Sequence, residues 1–255
     1  MKLSSVERQN HIITYLQHNP RIIIEELCKT FDVSEATARR DLEELAAEGK
    51  IQRIHGGAIA VERSPQEAPI LQRQSDQTEE KQRIGQAAAA LVNDNETIFL
   101  GSGTTVLEVA RALRGRQKLT VITNSLPVIN VLSTEAGIMV ISLGGMLRDS
   151  ELSFIGHITE QALAEVRSDK VIIGTHSINH EHGLTHEYLP ETMTDRAILK
   201  SGTEIIVLAD HTKFGRTSTV LLATIDKINT LITDNETSSD YTTALNEKGV
   251  NVITV

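Results

Sequence analysis

The 255-residue sequence predicts an α/β protein in two unequal domains. Three observations carry this. Residues 1–60 read as short amphipathic helices followed by a hairpin, residues 61–76 have the proline and polar content of a linker, and residues 77–255 alternate apolar strand-like runs with helical spacing. Hydrophobic content of 40% with 23% charged residues is enough to bury a core, and 3% aromatic residues leave that core to Ile, Leu, Val and Ala.

In the first domain, Val6 to Gln17 carries apolar residues near helical spacing at Val6, Ile12, Ile13 and Leu16, and Ile24 to Phe31 forms a second helix. Ser34 is a natural N-cap for a third helix, Glu35 to Glu48, with Gly49 as its stop. The arms "KIQRI" and "GAIAV" around His55 and Gly56 predict a hairpin. On a helical wheel with Ala38 at zero, Leu42 and Leu45 fall within about 40°, so Ala36, Thr37 and Arg40 point away from the core and Arg39 lies on the flank. A short helix, a tight turn through Asp32 to Ser34 and this third helix make a helix-turn-helix from Ile22 to Asp41, and the hairpin adds a wing. Its first turns are the part that enters a major groove. The candidate DNA-binding residues are therefore Ser34, Glu35, Ala36, Thr37, Arg39 and Arg40, with Arg53, His55 and Gly56 in the wing. The bland alternative is a solvated face on which the arginines pair with Asp41, Glu43 and Glu44.

The formal charge of −9 does not exclude nucleic acid. Residues 1–57 hold eight Lys/Arg against nine Asp/Glu, so the excess acid lies in the second domain. Phosphate contacts are short-ranged at cellular salt, and the face that carries the cations decides. The modest basic count predicts weak non-specific binding and a homo-oligomer, dimer or tetramer, engaging paired half-sites of a double-stranded DNA operator.

The second domain has strand-like runs at Thr97–Leu100, Leu119–Thr123, Ile138–Leu143, Lys170–Gly174, Glu204–Ala209, Ile228–Thr233 and Val250–Val255. Runs apolar on both faces and separated by helices predict a Rossmann-like parallel sheet covered on both sides. The turn Gly101, Ser102, Gly103, Thr104, Thr105 joins the first strand to a helix, bringing backbone N–H groups and the positive end of the helix dipole to the carboxyl edge, which is an anion site. Asn124 and Ser125, Arg148, and Asp210 with Lys213 follow other strands and are expected at the same edge. Lys213 is the expected cation for a phosphate, with Asp210 orienting it or bonding a sugar hydroxyl. His176, His180, His182 and His186 match no zinc spacing and read as a polar loop; neither a metal nor a cofactor is expected. The single cysteine, Cys28, the absence of a long apolar run and a polar N-terminus predict a cytoplasmic protein without a membrane segment.

The stretch "ELCKTFDVSEATARRDLEELAAEGKIQRIHGGA" resembles the N-terminal signature of the DeoR family of bacterial transcriptional regulators, with Ser, Thr, paired Arg and Asp on the recognition helix and Arg then His-Gly-Gly in the wing. The resemblance extends through the second domain. It implies a fold there related to sugar-phosphate isomerases, with the Gly-Thr-Thr loop sensing a phosphorylated sugar effector or a related metabolite. Two positions depart from the family: Ala38 replaces a larger aliphatic residue, and Gly101 replaces a frequent Asp, removing any hydroxyl contact that the carboxylate would make. The expected function is sequence-specific DNA binding by a repressor of a sugar-metabolism operon. The alternative is a sugar-phosphate isomerase-like enzyme with an accessory DNA-binding domain, which the missing acid at Gly101 disfavours, because isomerisation needs a poised base.

Overall fold

A computed structural model describes residues 5–19, 21–47, 50–54, 56–60 and 68–255. The chain divides into two compact units, 1–63 and 64–255.

The first unit runs α1 (Ser5–His18), β1 (Arg21–Ile23), α2 (Ile24–Phe31), α3 (Glu35–Ala47), β2 (Ile51–Ile54) and β3 (Gly57–Ala60). Ala38, Leu42 and Leu45, the stripe expected on α3, are fully buried with Ile12, Ile22 and Leu27. Ala38 thus lies in the core beneath the recognition helix. Asp32 closes α2 in the left-handed region at φ 49°, a conformation that short polar side chains tolerate. Ser34 then starts α3, its Oγ accepting the Thr37 N–H at 3.3 Å. The hairpin β2–β3 forms in the register Ile51↔Ala60 to Ile54↔Gly57. Its partner β1, three residues absent from the sequence expectation, pairs with β3. Gly57 is required there, since a Cβ would lie 2.1 Å from the Ile22 carbonyl oxygen. The expected Gly49 stop and His55 at the hairpin tip lie outside the described residues.

The second unit begins with α4 (Ile70–Arg73) and α5 (Thr78–Ala90), followed by β4 (Thr97–Leu100), α6 (Thr104–Ala112), β5 (Leu119–Thr123), α7 (Leu126–Leu132) and β6 (Ile138–Ser142). A hairpin β7 (Met146–Arg148) and β8 (Ser153–Ile155) leads to α8 (His157–Ala164) and β9 (Ser168–Gly174). Then come β10 (Ser177–Asn179), β11 (Gly183–His186), α9 (Leu189–Leu199), β12 (Gly202–Leu208), β13 (Val220–Ala223), β14 (Thr230–Thr233), α10 (Ser239–Glu247) and β15 (Asn251–Thr254).

All seven expected strands join one parallel sheet, in the order β15-β14-β12-β9-β4-β5-β6. Alternation along each strand divides the core in two. Ile98, Leu100, Val121, Ile172, Ile206 and Ile232 meet α5, α6 and α7 on one face, while Phe99, Ile122, Val171, Ile173, Val207 and Leu231 meet α8, α9 and α10 on the other.

Two features correct the sequence expectation. The histidine-rich stretch is a hairpin, β10–β11, extended by β13 into a three-stranded antiparallel sheet. Part of its buried polar content satisfies itself: Ser177 Oγ lies 2.7 Å from Thr185 Oγ1 and 3.0 Å from Ser218 Oγ. The stretch 61–76 is not linker throughout. Ile70 is buried, its N–H donates to the Ser150 carbonyl at 2.8 Å, and 68–76 belongs to the second unit; residues 61–67 lie outside the described residues.

Candidate functional sites: a helix face and a sheet-edge cavity

The outer face of α3 carries Arg39 and Arg40, whose side chains are 52% and 80% exposed. Among the described residues each side chain pairs only at i,i+4, Arg39 with Glu35 at 2.5 Å and Arg40 with Glu44 at 3.0 Å. Exposed pairs of this kind are worth about 0–1 kcal/mol, so a phosphate or a guanine edge displaces them at small cost. Ser34, Glu35 and Ala36 are exposed beside them, and Thr37 is half-buried with its hydroxyl 2.9 Å from Ser34 Oγ. Arg53 folds back from β2 onto the helix, donating from Nη1 to the Arg39 carbonyl at 3.4 Å and standing 3.7 Å from Glu43. Gly56 adopts φ +82° at the hairpin turn.

Asp41 does not partner these arginines. It is 2% exposed and accepts two hydrogen bonds from Arg8 of α1, from Nε at 2.5 Å and from Nη2 at 2.9 Å, with a third from Ser5 Oγ. The carboxylate beside it holds the Arg8 guanidinium above its ordinary pKa. This buried pair locks α1 against α3 and leaves Arg39 and Arg40 as the cations of the outer face.

In the second unit, strands β4, β5 and β6 run outward one way from the middle of the sheet and β9, β12, β14 and β15 the other. The reversal point lies between β4 and β9, where ligands of open α/β sheets settle at the carboxyl edge. A cavity of about 330 Å³ lies there. Its floor is the β4–α6 turn, Gly101 to Thr105, and the end of β9 from Ile173 to His176. Gly103, at φ +110°, precedes the first residue of α6, and no side chain caps that helix. Its first-turn amides therefore face the cavity as donors for an anion. Across from the turn stand Asp210 and Lys213 after β12. Asp210 Oδ1 accepts the Thr212 N–H at 3.0 Å, so this buried carboxylate fixes the single 3₁₀ turn that carries Lys213. Gly101 is tight rather than empty: its N–H donates to the Ile172 carbonyl at 3.0 Å, and an added Cβ would stand 3.1 Å from Ile173 Cγ2.

Residues 8–64 match the DeoR-like helix-turn-helix domain, and residues 76–235 match the DeoR C terminal sensor domain. The chain is 34% identical to the transcriptional repressor AccR of Agrobacterium fabrum over 92% of its own length and 91% of the relative's. It is 35% identical to the glycerol-3-phosphate regulon repressor of Escherichia coli, covering 91% of this chain and 92% of that one. The chain belongs to the DeoR family. As a DeoR-family protein it is a transcriptional regulator with a DNA-binding domain and a sensor domain, and its relatives are regulators rather than enzymes. Ribose 5-phosphate isomerase A from Methanocaldococcus jannaschii superposes at a TM-score of 0.39 with 19% identity, over 52% of this chain and 53% of that one.

In this DeoR-family sensor domain, Gly101, Ser102, Gly103, Thr104, Thr105, Asp210 and Lys213 come together at the cavity, whereas Asn124, Ser125 and Arg148 do not line it. The topology explains Asn124 and Ser125, because β5 lies on the far side of β4 from the reversal point, whereas Arg148 lies on a hairpin whose Glu151 does reach the cavity. Asn124 and Ser125 instead join the β7–β8 hairpin to the sheet: Asn124 Nδ2 donates to the Phe154 carbonyl at 3.0 Å, and Ser125 bridges Ser153 and caps α7. Arg148 stands behind the wall, paired with Glu191 and 4.7 Å over the Tyr188 ring.

Sequence reasoning missed the other half of the lining. Lys81 on α5 is 5% exposed, and its Nζ donates to the carbonyls of Arg73 at 2.9 Å and Asp76 at 2.5 Å. Burial pushes its pKa below 10.5, Asp210 opposing and Lys213 adding to the shift. Arg73 itself reaches the cavity wall, as do His176, His186, Glu191 and Asp195. A buried lysine at helical spacing in "TEEKQRIGQAAAA" looks like a solvated charge until the fold supplies its neighbours.

Proposed function

We propose that this regulator is a repressor of a sugar-metabolism operon whose occupancy of a double-stranded DNA operator changes when a phosphorylated sugar, or a related metabolite, enters the sheet-edge cavity. The observation that carries the reading is the convergence on one cavity of an uncapped helix start with Lys81 and Lys213. That set of donors fits a phosphate, with neutral and acidic side chains left for hydroxyl groups. The names of the glycerol-3-phosphate regulon repressor and of the lactose phosphotransferase system repressor, 34% identical over 95% of this chain, agree with such an effector.

On DNA, α3 enters the major groove with Ser34, Glu35, Ala36, Thr37, Arg39 and Arg40, and the wing residues Arg53, His55 and Gly56 approach the backbone. With only eight Lys/Arg against nine Asp/Glu in residues 1–57, the chain works as a homo-oligomer, dimer or tetramer, on paired half-sites in the cytoplasm. The effector must favour one arrangement of the oligomer, since equal affinity for both shifts nothing.

The test is a salt-dependent shift assay on the regulator's own upstream DNA with a panel of sugar phosphates. One phosphorylated sugar is expected to change operator occupancy where its unphosphorylated parent does not. Binding that no sugar phosphate alters contradicts the effector half of the proposal, and absence of sequence preference contradicts the DNA half.

A further inference from the structure

The hairpin β10–β11 and helix α9 bring together three groups that sequence spacing keeps apart. His176, His186 and Glu191 each offer a donor atom, and these atoms lie within 4.8 Å of one another on the cavity wall. The two imidazole rings stand 4.8 Å apart between centroids. His186 is 5% exposed and Glu191 4%. Among the described residues, both ring nitrogens of His186 and Glu191 Oε1 are buried without a hydrogen-bond partner. Glu191 is held through Oε2 by Arg148, and His186 Nδ1 lies 3.2 Å from Asp195 Oδ2.

This is how metal ligands are held. The Asp195 carboxylate stands close behind one imidazole nitrogen of His186, where it can orient the ring once a metal takes the other nitrogen, and Arg148 holds one oxygen of Glu191 so that the second is left as donor. Burying such acceptors without a partner is costly, and an electrophile shared between them removes the cost. We propose that His176, His186 and Glu191 bind one divalent transition-metal cation of the zinc class on the wall of the effector cavity.

Two imidazoles and one carboxylate suit zinc, cobalt or nickel rather than magnesium or calcium, which prefer all-oxygen shells. Donors around a tetrahedral ion at about 2.0–2.1 Å stand about 3.4 Å apart, so the widest pair closes by about 1.4 Å through side-chain rotation. Three protein ligands leave a fourth position open to the cavity, where an oxygen of a bound metabolite completes the shell. Sequence spacing could not show the site, because Glu191 comes from α9 and the histidines from either side of a hairpin turn. The inference needs only the cavity wall and holds whatever the effector is.

The test is calorimetric titration of Zn²⁺, Co²⁺ and Mg²⁺ into the chelator-stripped full chain, without effector, in a Cys28→Ser background that removes the only thiol. One Zn²⁺ per chain is expected, with Mg²⁺ far weaker and Co²⁺ giving the intense visible bands of a four-coordinate ion. Asp195→Asn is expected to weaken Zn²⁺ about 10–100-fold. His186→Ala is expected to abolish binding, and His157→Ala, on an exposed residue of α8, to leave it unchanged. If His186→Ala does not fold, Asp195→Asn and the Co²⁺ spectrum of the parent decide. No zinc binding by the stripped parent, or binding that survives both His186→Ala and Asp195→Asn, overturns the proposal.

Discussion

Arg73 clasps Glu151 through Nη2, which lies 2.5 and 2.6 Å from the two carboxylate oxygens, and both residues line the sheet-edge cavity. Arg73 closes α4, the first helix after the residues that join the two units. If the proposed effector occupies the cavity, this pair stands against it. Glu151→Gln keeps the shape and removes the charge. The variant is expected to bind operator as the parent does while its effector response shrinks several-fold, measured by the shift assay with and without sugar phosphate. An undiminished response would place the coupling elsewhere.

Lys81 offers a test by pH. Burial lowers its pKa in the empty cavity, and a bound phosphate supplies the charge that raises it again. Between the depressed value and 10.5 the empty protein has lost a proton that the complex holds, so binding takes up a proton and affinity falls as pH rises through that window. Calorimetry in buffers of different ionisation enthalpy is expected to show proton uptake by the parent within the window between the depressed value and 10.5, and loss of that uptake in Lys81→Met. Equal enthalpies in all buffers at alkaline pH would remove Lys81 from the phosphate contacts.

The buried Arg8–Asp41 pair predicts a specific pattern of stability. Arg8→Met leaves the 2%-exposed Asp41 carboxylate without its partner and is expected to cost about 3–5 kcal/mol in the first unit. Arg8→Met with Asp41→Leu is expected to recover most of that loss, because no unpaired charge remains. Urea unfolding followed by circular dichroism checks both, and a double variant as unstable as the single would show that the pair acts through packing instead.

On the recognition helix, Arg40→Ala is expected to cost about 1–3 kcal/mol on the cognate operator and to relax preference at one base step. Equal loss on every sequence would make Arg40 a phosphate contact. Arg53→Ala should behave in that second way, with the salt slope shallower by about one. Because Arg53 rests against the Arg39 carbonyl in the free protein, an unchanged slope would mean that it stays there on DNA.

The sheet was legible in the sequence because its strands are apolar on both faces, and the recognition helix because Ala38, Leu42 and Leu45 hold one stripe. The β4–α6 turn was legible as a turn because glycines and small hydroxyl residues between a strand and a helix mark a tight βα connection, a pattern that by itself does not specify a ligand. What local pattern could not show is pairing across the chain. Asp41 looks solvated until α1 brings Arg8 to it, and Lys81 looks solvated until α5 closes the cavity. Arg148 was misplaced because its partners, Glu191 and the Tyr188 ring, lie some forty residues away in sequence and draw it behind the wall, while Glu151 of the same hairpin reaches the cavity. The histidine hairpin was missed because its strands are short and polar, and their burial depends on mutual hydrogen bonds such as Ser177 with Thr185.

The central claim, that an anion held at the start of α6 controls the regulator, is tested most directly by Thr105→Asp. Thr105 is the second residue of α6 and lines the cavity, so the new carboxylate stands where the phosphate belongs. Calorimetric titration of the cognate sugar phosphate into parent and variant, alongside operator binding by each, is expected to show that the variant still occupies its operator but no longer binds the metabolite. A folded variant that binds the sugar phosphate as tightly as the parent would contradict the claim.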